Sequence, residues 1–277
     1  MASKREVEEL LARSRKLMHV RAYSGRTLAT YARWIERFLG SFPHRPVQEL
    51  GRADVERFIE HLTRARGLAP KSRNQASSAL SFFFREVLGR DELRMMPRAR
   101  EPKRIPSVLS HRQASLVLRE LSGKYRLLAS LMYGAGLRLT EAHQLRVKDI
   151  DFDLMQIAVR DGKGAKDRWV MLPRRLVPFL HRQIQAVRIQ HEEDRKRGAG
   201  WTRLPYSLAK KDPRAGYDIA WQFVFPASRW SKDPMTGRRG RWHLDPSAIQ
   251  RAVKRAGKMA GIPKPVSCHT LRRTFAT

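Results

Sequence analysis

Apolar residues recur at helical spacing through the N-terminal third of the chain: Leu28, Tyr31, Ile35, Phe38 and Phe42, then Val55, Phe58, Ile59 and Leu62, then Leu80, Phe83, Phe84 and Val87. With Val7, Leu10 and Leu11 ahead of them, this periodicity predicts four amphipathic helices whose aromatics pack a core. Gly25 and the runs SFPHRP and GLAP punctuate them as turn signals. Residues 89–110, GRDELRMMPRAREPKRIPSVLS, lose the period, gather charge and hold three prolines, the composition of a linker.

A helical pattern resumes at His111 and is read as continuing through Leu127, Leu128, Leu131 and Met132 to the turn YGAG, with the next helix after Gly136. Beyond Asp149 the pattern turns extended. Residues 156–160 and 168–172 flank DGKGAKD, and alternation of Met155, Ile157 and Val159 against polar neighbours predicts a hairpin with Lys163 and Lys166 at its tip. Helices are predicted again at 174–194 and 245–260. The fold class is therefore mainly α with a small β-hairpin or sheet, in two domains.

Charge changes the picture most. Lys plus Arg number 57 against 26 Asp plus Glu, a formal net charge of +31, which a compact body tolerates best with a polyanion beside it. Nucleic acid is the expected partner; a basic surface kept for solubility or ribosome association is the plainer alternative. With 42% hydrophobic and 8% aromatic residues the chain can build a core, so a disordered basic tail is excluded. No apolar run approaches the roughly 20 residues of a membrane span, and the N-terminus has no apolar signal core. With one cysteine, Cys268, no internal disulfide framework is available, and a reducing, cytoplasmic setting is expected. Cys268 and His269 alone make a poor zinc site, and GKGAKD lacks the features of a nucleotide P-loop, so neither metal nor organic cofactor is expected.

Two arginines carry the candidate chemistry. Arg138, in GAGLRLTEA, and Arg272, in HTLRRTFAT, each sit among apolar residues that would bury their stems and aim their heads at one point. Two planar, permanently charged forks suit a phosphate that gains negative charge during reaction, which makes a phosphodiester the natural ligand.

GAGLRLTEA, GKGAKDR and HTLRRTFAT, in this order, resemble the tyrosine recombinases of the phage integrase family, and ATYARWIERF resembles that family's core-binding domain. The resemblance implies a helical, SAM-like core-binding domain at 1–92, a basic linker at 93–110 and a mixed α/β catalytic domain at 111–277. It also implies DNA as partner, cleavage and rejoining of strands through a 3' phosphotyrosine, self-association on DNA, and a bacterial, nucleoid-associated location. Arg138 and Arg272 would hold the scissile phosphate, with Glu141 orienting Arg138 and His269 assisting proton transfer. Lys163 would protonate the leaving 5' hydroxyl; Lys166 is less apt because the pattern sets its lysine between the glycines of GKG. Lys71 and Arg73, at the start of the last N-terminal helix, could meet backbone phosphates or equally lie on a solvated face, and the basic linker residues, Lys103 and Arg104 among them, would follow DNA if the two domains closed around a duplex.

The stretch LPYSLAKKDPRAGYDIAWQFVFPAS followed by RWHLDPSAIQRAVKRAG is similar to the extra segment of integron integrases, here at about 195–243. Those enzymes recombine cassette sites folded from a single strand, and Trp221, Trp242 and His243 match positions that stack on or flank protruding bases. A buried strand through Phe223 and Phe225 is the plainer reading of part of this run. The chain departs from the family pattern in two ways: Arg273 stands where histidine is usual, and five residues follow Arg272, so the expected tyrosine nucleophile and last histidine are absent from these 277 residues. Three functions are open at this level: an integron-type recombinase inactive in this truncated form, a non-catalytic protein occupying recombination sites, and a basic RNA-binding protein.

Overall fold

The computed structural model describes residues 4–93, 96–102, 107–160, 167–205, 208–234 and 236–277. They form two compact units, Met1–Arg104 and Ile105–Thr277.

In the first unit the periodic segments become α1 (Lys4–Val20), α2 (Gly25–Gly40), α3 (Arg52–Arg66) and α4 (Pro70–Phe82), the last running into a π-helical turn at Phe83–Val87. Phe38, Phe83 and Phe84 are fully buried, and Phe38 meets Phe58 and Phe84 edge-on at centroid distances of 5.5 and 5.9 Å, the favoured geometry for aromatic quadrupoles. Gly25 is not the turn residue expected. It opens α2, while Ser24 caps the helix by accepting the Thr27 amide at 3.2 Å and Ala22 carries the left-handed backbone, with φ 55°. Lys71 is exposed on the first turn of α4, whereas Arg73 is half-buried. Past α4, Asn74 clamps the chain by exchanging hydrogen bonds with the Ala99 backbone at 2.8 and 3.0 Å.

The second unit begins with α5 (His111–Arg119) and α6 (Gly123–Gly134). The single helical run expected here is two helices. Gly123 takes φ 50°, a conformation that no helix interior accommodates, and the chain turns before it. After α7 (Leu139–His143) come the antiparallel strands β1 (Ile150–Asp151), β2 (Gln156–Val159) and β3 (Arg168–Met171), in spatial order β1-β2-β3, with Val159 opposite Arg168. The expected alternation is not seen in β2, where Ile157, Ala158 and Val159 are all buried, because both faces of this middle strand are covered. Lys163 and Lys166 lie outside the described residues, as do Lys103 and Arg104.

α8 (Val177–Lys196) leads into residues 197–243, which hold the short α9 (Leu208–Lys211) and a second antiparallel pair, β4 (Pro226–Lys232) and β5 (Arg239–His243). Gly240 of β5 lies where any side chain would meet the Trp201 carbonyl, since a Cβ there would fall 1.5 Å from that oxygen. α10 (Pro246–Met259) and α11 (Cys268–Phe275) follow, α11 packing on α6. Among the described residues no helix is long and apolar enough to cross a membrane.

Candidate functional site

Arg138 is not inside a helix. It is the extended N-cap of α7 (φ −69°, ψ 155°), and its neighbour Leu137 is fully buried, which fixes the base of the side chain while the guanidinium stays partly exposed. Glu141, on the first turn of α7, folds back toward this cap. Its Oε2 accepts the Arg138 amide at 2.7 Å and its Oε1 accepts Arg138 Nη1 at 2.6 Å. The pair is therefore a helix cap and an ion pair together, rather than two residues on one helical face.

Arg272 reaches the same place from α11, held by its buried neighbour Leu271. Its Nη1 donates to the Gly136 carbonyl at 2.7 Å and lies 3.4 Å from Glu141 Oε2. The turn allows this because Gly136 has φ 63° and a Cβ there would strike the Phe275 ring at 2.3 Å. The two arginine boxes, distant in sequence, thus converge on one carboxylate.

A third arginine joins them. Arg168, the first residue of β3, donates Nη1 to Glu141 Oε1 at 3.0 Å and Nη2 to Oε2 at 2.7 Å, a two-pronged pair. Burial would raise the pKa of Glu141, but the hydrogen bonds from Arg168 and Arg138 outweigh it and bring the value down to about 2. Three guanidiniums against one carboxylate leave two positive charges without a partner in this cluster. The pKa of Arg272 is lowered, first by burial and then by that excess through Arg138. His269, exposed one turn before Arg272, has its pKa lowered by partial desolvation and by Arg273, Arg272 and Arg138. Cys268 faces inward, and burial pushes its thiol up to about 11, far from a reactive thiolate at neutral pH.

Glu141 also borders a cavity of about 590 Å³ whose wall includes Arg146, Trp221, Trp242 and His243. Trp221, Trp242 and His243 therefore line one space, and Glu141, the carboxylate of the arginine cluster, borders it. Trp242 is 38% exposed. Trp221 sits on a 3₁₀ turn, not in a strand, with Lys148 Nζ 3.3 Å from its ring centroid. Phe223 and Phe225 are buried but not in the strand expected: Phe223 makes only an isolated bridge to Arg146, and β4 begins after Phe225. His243 donates Nδ1–H to the Leu244 carbonyl at 3.0 Å, which turns Nε2 toward Gln144 at 3.5 Å as an acceptor. Beneath it lies buried His143, ring centroids 4.4 Å apart, whose pKa falls to about 4 through burial and the nearby His243. Arg146 ties the walls together by donating to the Trp221 carbonyl and, at 2.8 Å, to the Arg203 carbonyl.

Arg168 and Arg146 were not assigned from sequence. Arg168 closes the GKGAKDR run, so its position in a recognised motif was the available signal; Arg146 offers none beyond its closeness to Glu141. Among the described residues no group of three His, Cys, Asp or Glu side chains is placed to hold a metal ion.

Residues 10–92 match the phage integrase N-terminal SAM-like domain, and residues 103–277 match the phage integrase family. An integrase/recombinase from Escherichia coli is 41% identical over 257 residues, covering 92% of this chain and 76% of that protein. A tyrosine recombinase from Thermosipho africanus is 29% identical over 274 residues, covering 94% of this chain and 81% of that protein. The fold is similar to that of a lambda integrase dimer bound to a COC' core site (TM-score 0.64, 16% identity, 97% of this chain and 68% of that one). It is also similar to XerH site-specific recombinase bound to difH substrate in a pre-cleavage complex (TM-score 0.62, 18% identity, 98% and 73%). With 41% identity across nine-tenths of its length and a family match over its whole second unit, the chain belongs to the phage integrase family of tyrosine recombinases.

Proposed function

We propose that this chain is a site-specific DNA recombinase of the integron integrase type, and that Arg138, Arg272 and His269 grip the phosphate at which a strand is cut. The observation that carries the reading is the pair of unneutralised charges gathered around Glu141, at the edge of a cavity walled by Trp221, Trp242 and His243. A phosphodiester supplies the missing negative charge, and its two non-bridging oxygens match two guanidinium forks. Lys163 serves as general acid toward the leaving hydroxyl. Residues 1–92 form the core-binding domain, with Lys71 and Arg73 on the DNA backbone. The linker at 93–110, including Lys103 and Arg104, tracks the duplex, and residues 111–277 belong to the catalytic domain.

The cavity takes an extrahelical base from a folded single strand. Trp242 offers the open stacking face, since one face of Trp221 is already covered by Lys148. His243, held neutral and presenting Nε2, accepts a hydrogen bond from the base edge. No tyrosine of these 277 residues is assigned as the nucleophile, and a polypeptide of these residues alone is expected to bind without forming a covalent adduct.

Gel-shift titrations compare a single strand folded into a stem with protruding bases against a plain duplex of equal length. The folded strand is expected to bind more tightly, and affinity for both is expected to fall steeply with salt through counterion release. Trp242→Ala is expected to cost about 1–3 kcal/mol on the folded strand and little on the duplex, by loss of base stacking. Equal binding of the two DNAs, unaffected by that substitution, removes the integron part of the proposal. A suicide DNA substrate tests the remainder: no adduct is expected, and an adduct would mean that another residue of this chain attacks phosphorus.

A further inference from the structure

We propose that Arg168 is a positioning residue for the phosphate site: by occupying both oxygens of Glu141 it keeps Arg272 from collapsing onto that carboxylate. The inference rests on the phosphate site proposed above and adds a residue that the arginine boxes do not contain.

An ionised carboxylate has about four lone-pair sites for hydrogen bonds. Glu141 fills them with the Arg138 amide, Arg138 Nη1, Arg168 Nη1 and Arg168 Nη2, all at 2.6–3.0 Å. Arg272 arrives as a fifth donor and stops at 3.4 Å, its Nη1 anchored instead on the Gly136 carbonyl at 2.7 Å. A charge-assisted bond is shorter, about 2.7–2.9 Å, so a shift of roughly half an ångström would seat Arg272 on Glu141 if an acceptor site were open. Arg168 keeps that site closed. The pKa of Arg168 is raised, first by its bond to Glu141, while that of Arg272 is lowered, first by its own burial and then by Arg138. Arg168 enters from β3, so the strand sets the direction in which Glu141 faces, while Arg138 and Arg272 keep N–H groups for an anion.

The test titrates inorganic phosphate at constant ionic strength into the 277-residue chain and reads the imidazole resonances of His269, which feels Arg272 and Arg138 directly. Saturable shifts in the unsubstituted chain are expected; their absence sinks the phosphate site itself, and this inference with it. Given those shifts, Arg168→Gln is expected to weaken phosphate about tenfold, the worth of one charge-assisted hydrogen bond lost from Arg272. Adding Glu141→Gln removes the competing charge while keeping an acceptor for the Arg138 amide, and is expected to restore the affinity. Unchanged affinity in Arg168→Gln overturns the inference. So does a double variant as weak as the single, which would make Arg168 a direct phosphate contact or a packing residue. Should Arg168→Gln not fold, Arg168→Lys takes its place: an ammonium cannot make the two parallel bonds, so about threefold weakening supports the inference and unchanged affinity overturns it.

Discussion

Two buried carboxylates in the second unit each gather arginine, and the contrast between them separates scaffold from site. Asp194, near the end of α8, accepts Arg241 Nε at 2.6 Å, Arg241 Nη2 at 3.0 Å and Trp230 Nε1 at 2.8 Å. One carboxylate meets one guanidinium, charge balances, and the result bolts both strands of the β4–β5 pair to α8. Glu141 is equally hidden, with 5% of its side chain exposed, but it faces three guanidiniums that stay 25–38% exposed. Burial and hydrogen-bond quality are alike in the two places. Charge count and solvent access differ, and under the proposed function the second cluster is the one that takes the anion.

The largest effect expected from breaking this comparison is at the balanced pair. Asp194→Ala strands the Arg241 charge in a half-dry setting, and urea unfolding is expected to show a loss of about 3–5 kcal/mol. Little or no loss would mean that the β4–β5 pair does not depend on α8.

Next in size is the acid sensitivity of the unbalanced cluster. The pKa of Glu141 is depressed in the fold, to about 2 from an ordinary 4.5, so the unfolded chain takes up its proton first as pH falls. Its contribution is present above about pH 4.5 and drains away toward pH 2, on the order of 3 kcal/mol in all. Unfolding free energies of Glu141→Gln should be lower than those of the parent near pH 6 and converge with them near pH 2. Parallel curves would show that Glu141 is not the titrating group.

Smallest is the effect of Arg138→Ala on stability. The guanidinium is 38% exposed and Glu141 keeps Arg168, so thermal and urea unfolding should change by about 1 kcal/mol or less. A collapse of the domain would make Arg138 structural, and the distinction between the two carboxylates would disappear.

The helices of the first unit were legible because one face of each is apolar at 3.6-residue spacing, and their aromatics pack as that spacing implies. The hairpin at 156–171 was legible through its β-branched residues and glycine-rich turn. β4 and β5 were not, because PASRWSK and RGRWH interleave arginine and tryptophan with small residues; what holds them is Asp194 on a distant helix, which local periodicity cannot report. The break at Gly123 was hidden because the apolar pattern on either side stays helical while only the backbone changes sign. Within the site, the meeting of Arg138 and Arg272 followed from reading both as phosphate forks. The competition among three arginines for one carboxylate did not, since Arg168 reaches Glu141 through strand pairing that brings β3 beside β2.

The convergence of Arg138 and Arg272 on one phosphate is tested most directly by a double-mutant cycle. Binding of the folded single strand is measured for the parent chain, Arg138→Ala, Arg272→Ala and the pair at one salt concentration. Guanidiniums sharing a phosphate should be coupled by about 1 kcal/mol or more, the double substitution costing less than the two singles together. Additivity within about 0.5 kcal/mol would place them on separate contacts and contradict the shared site.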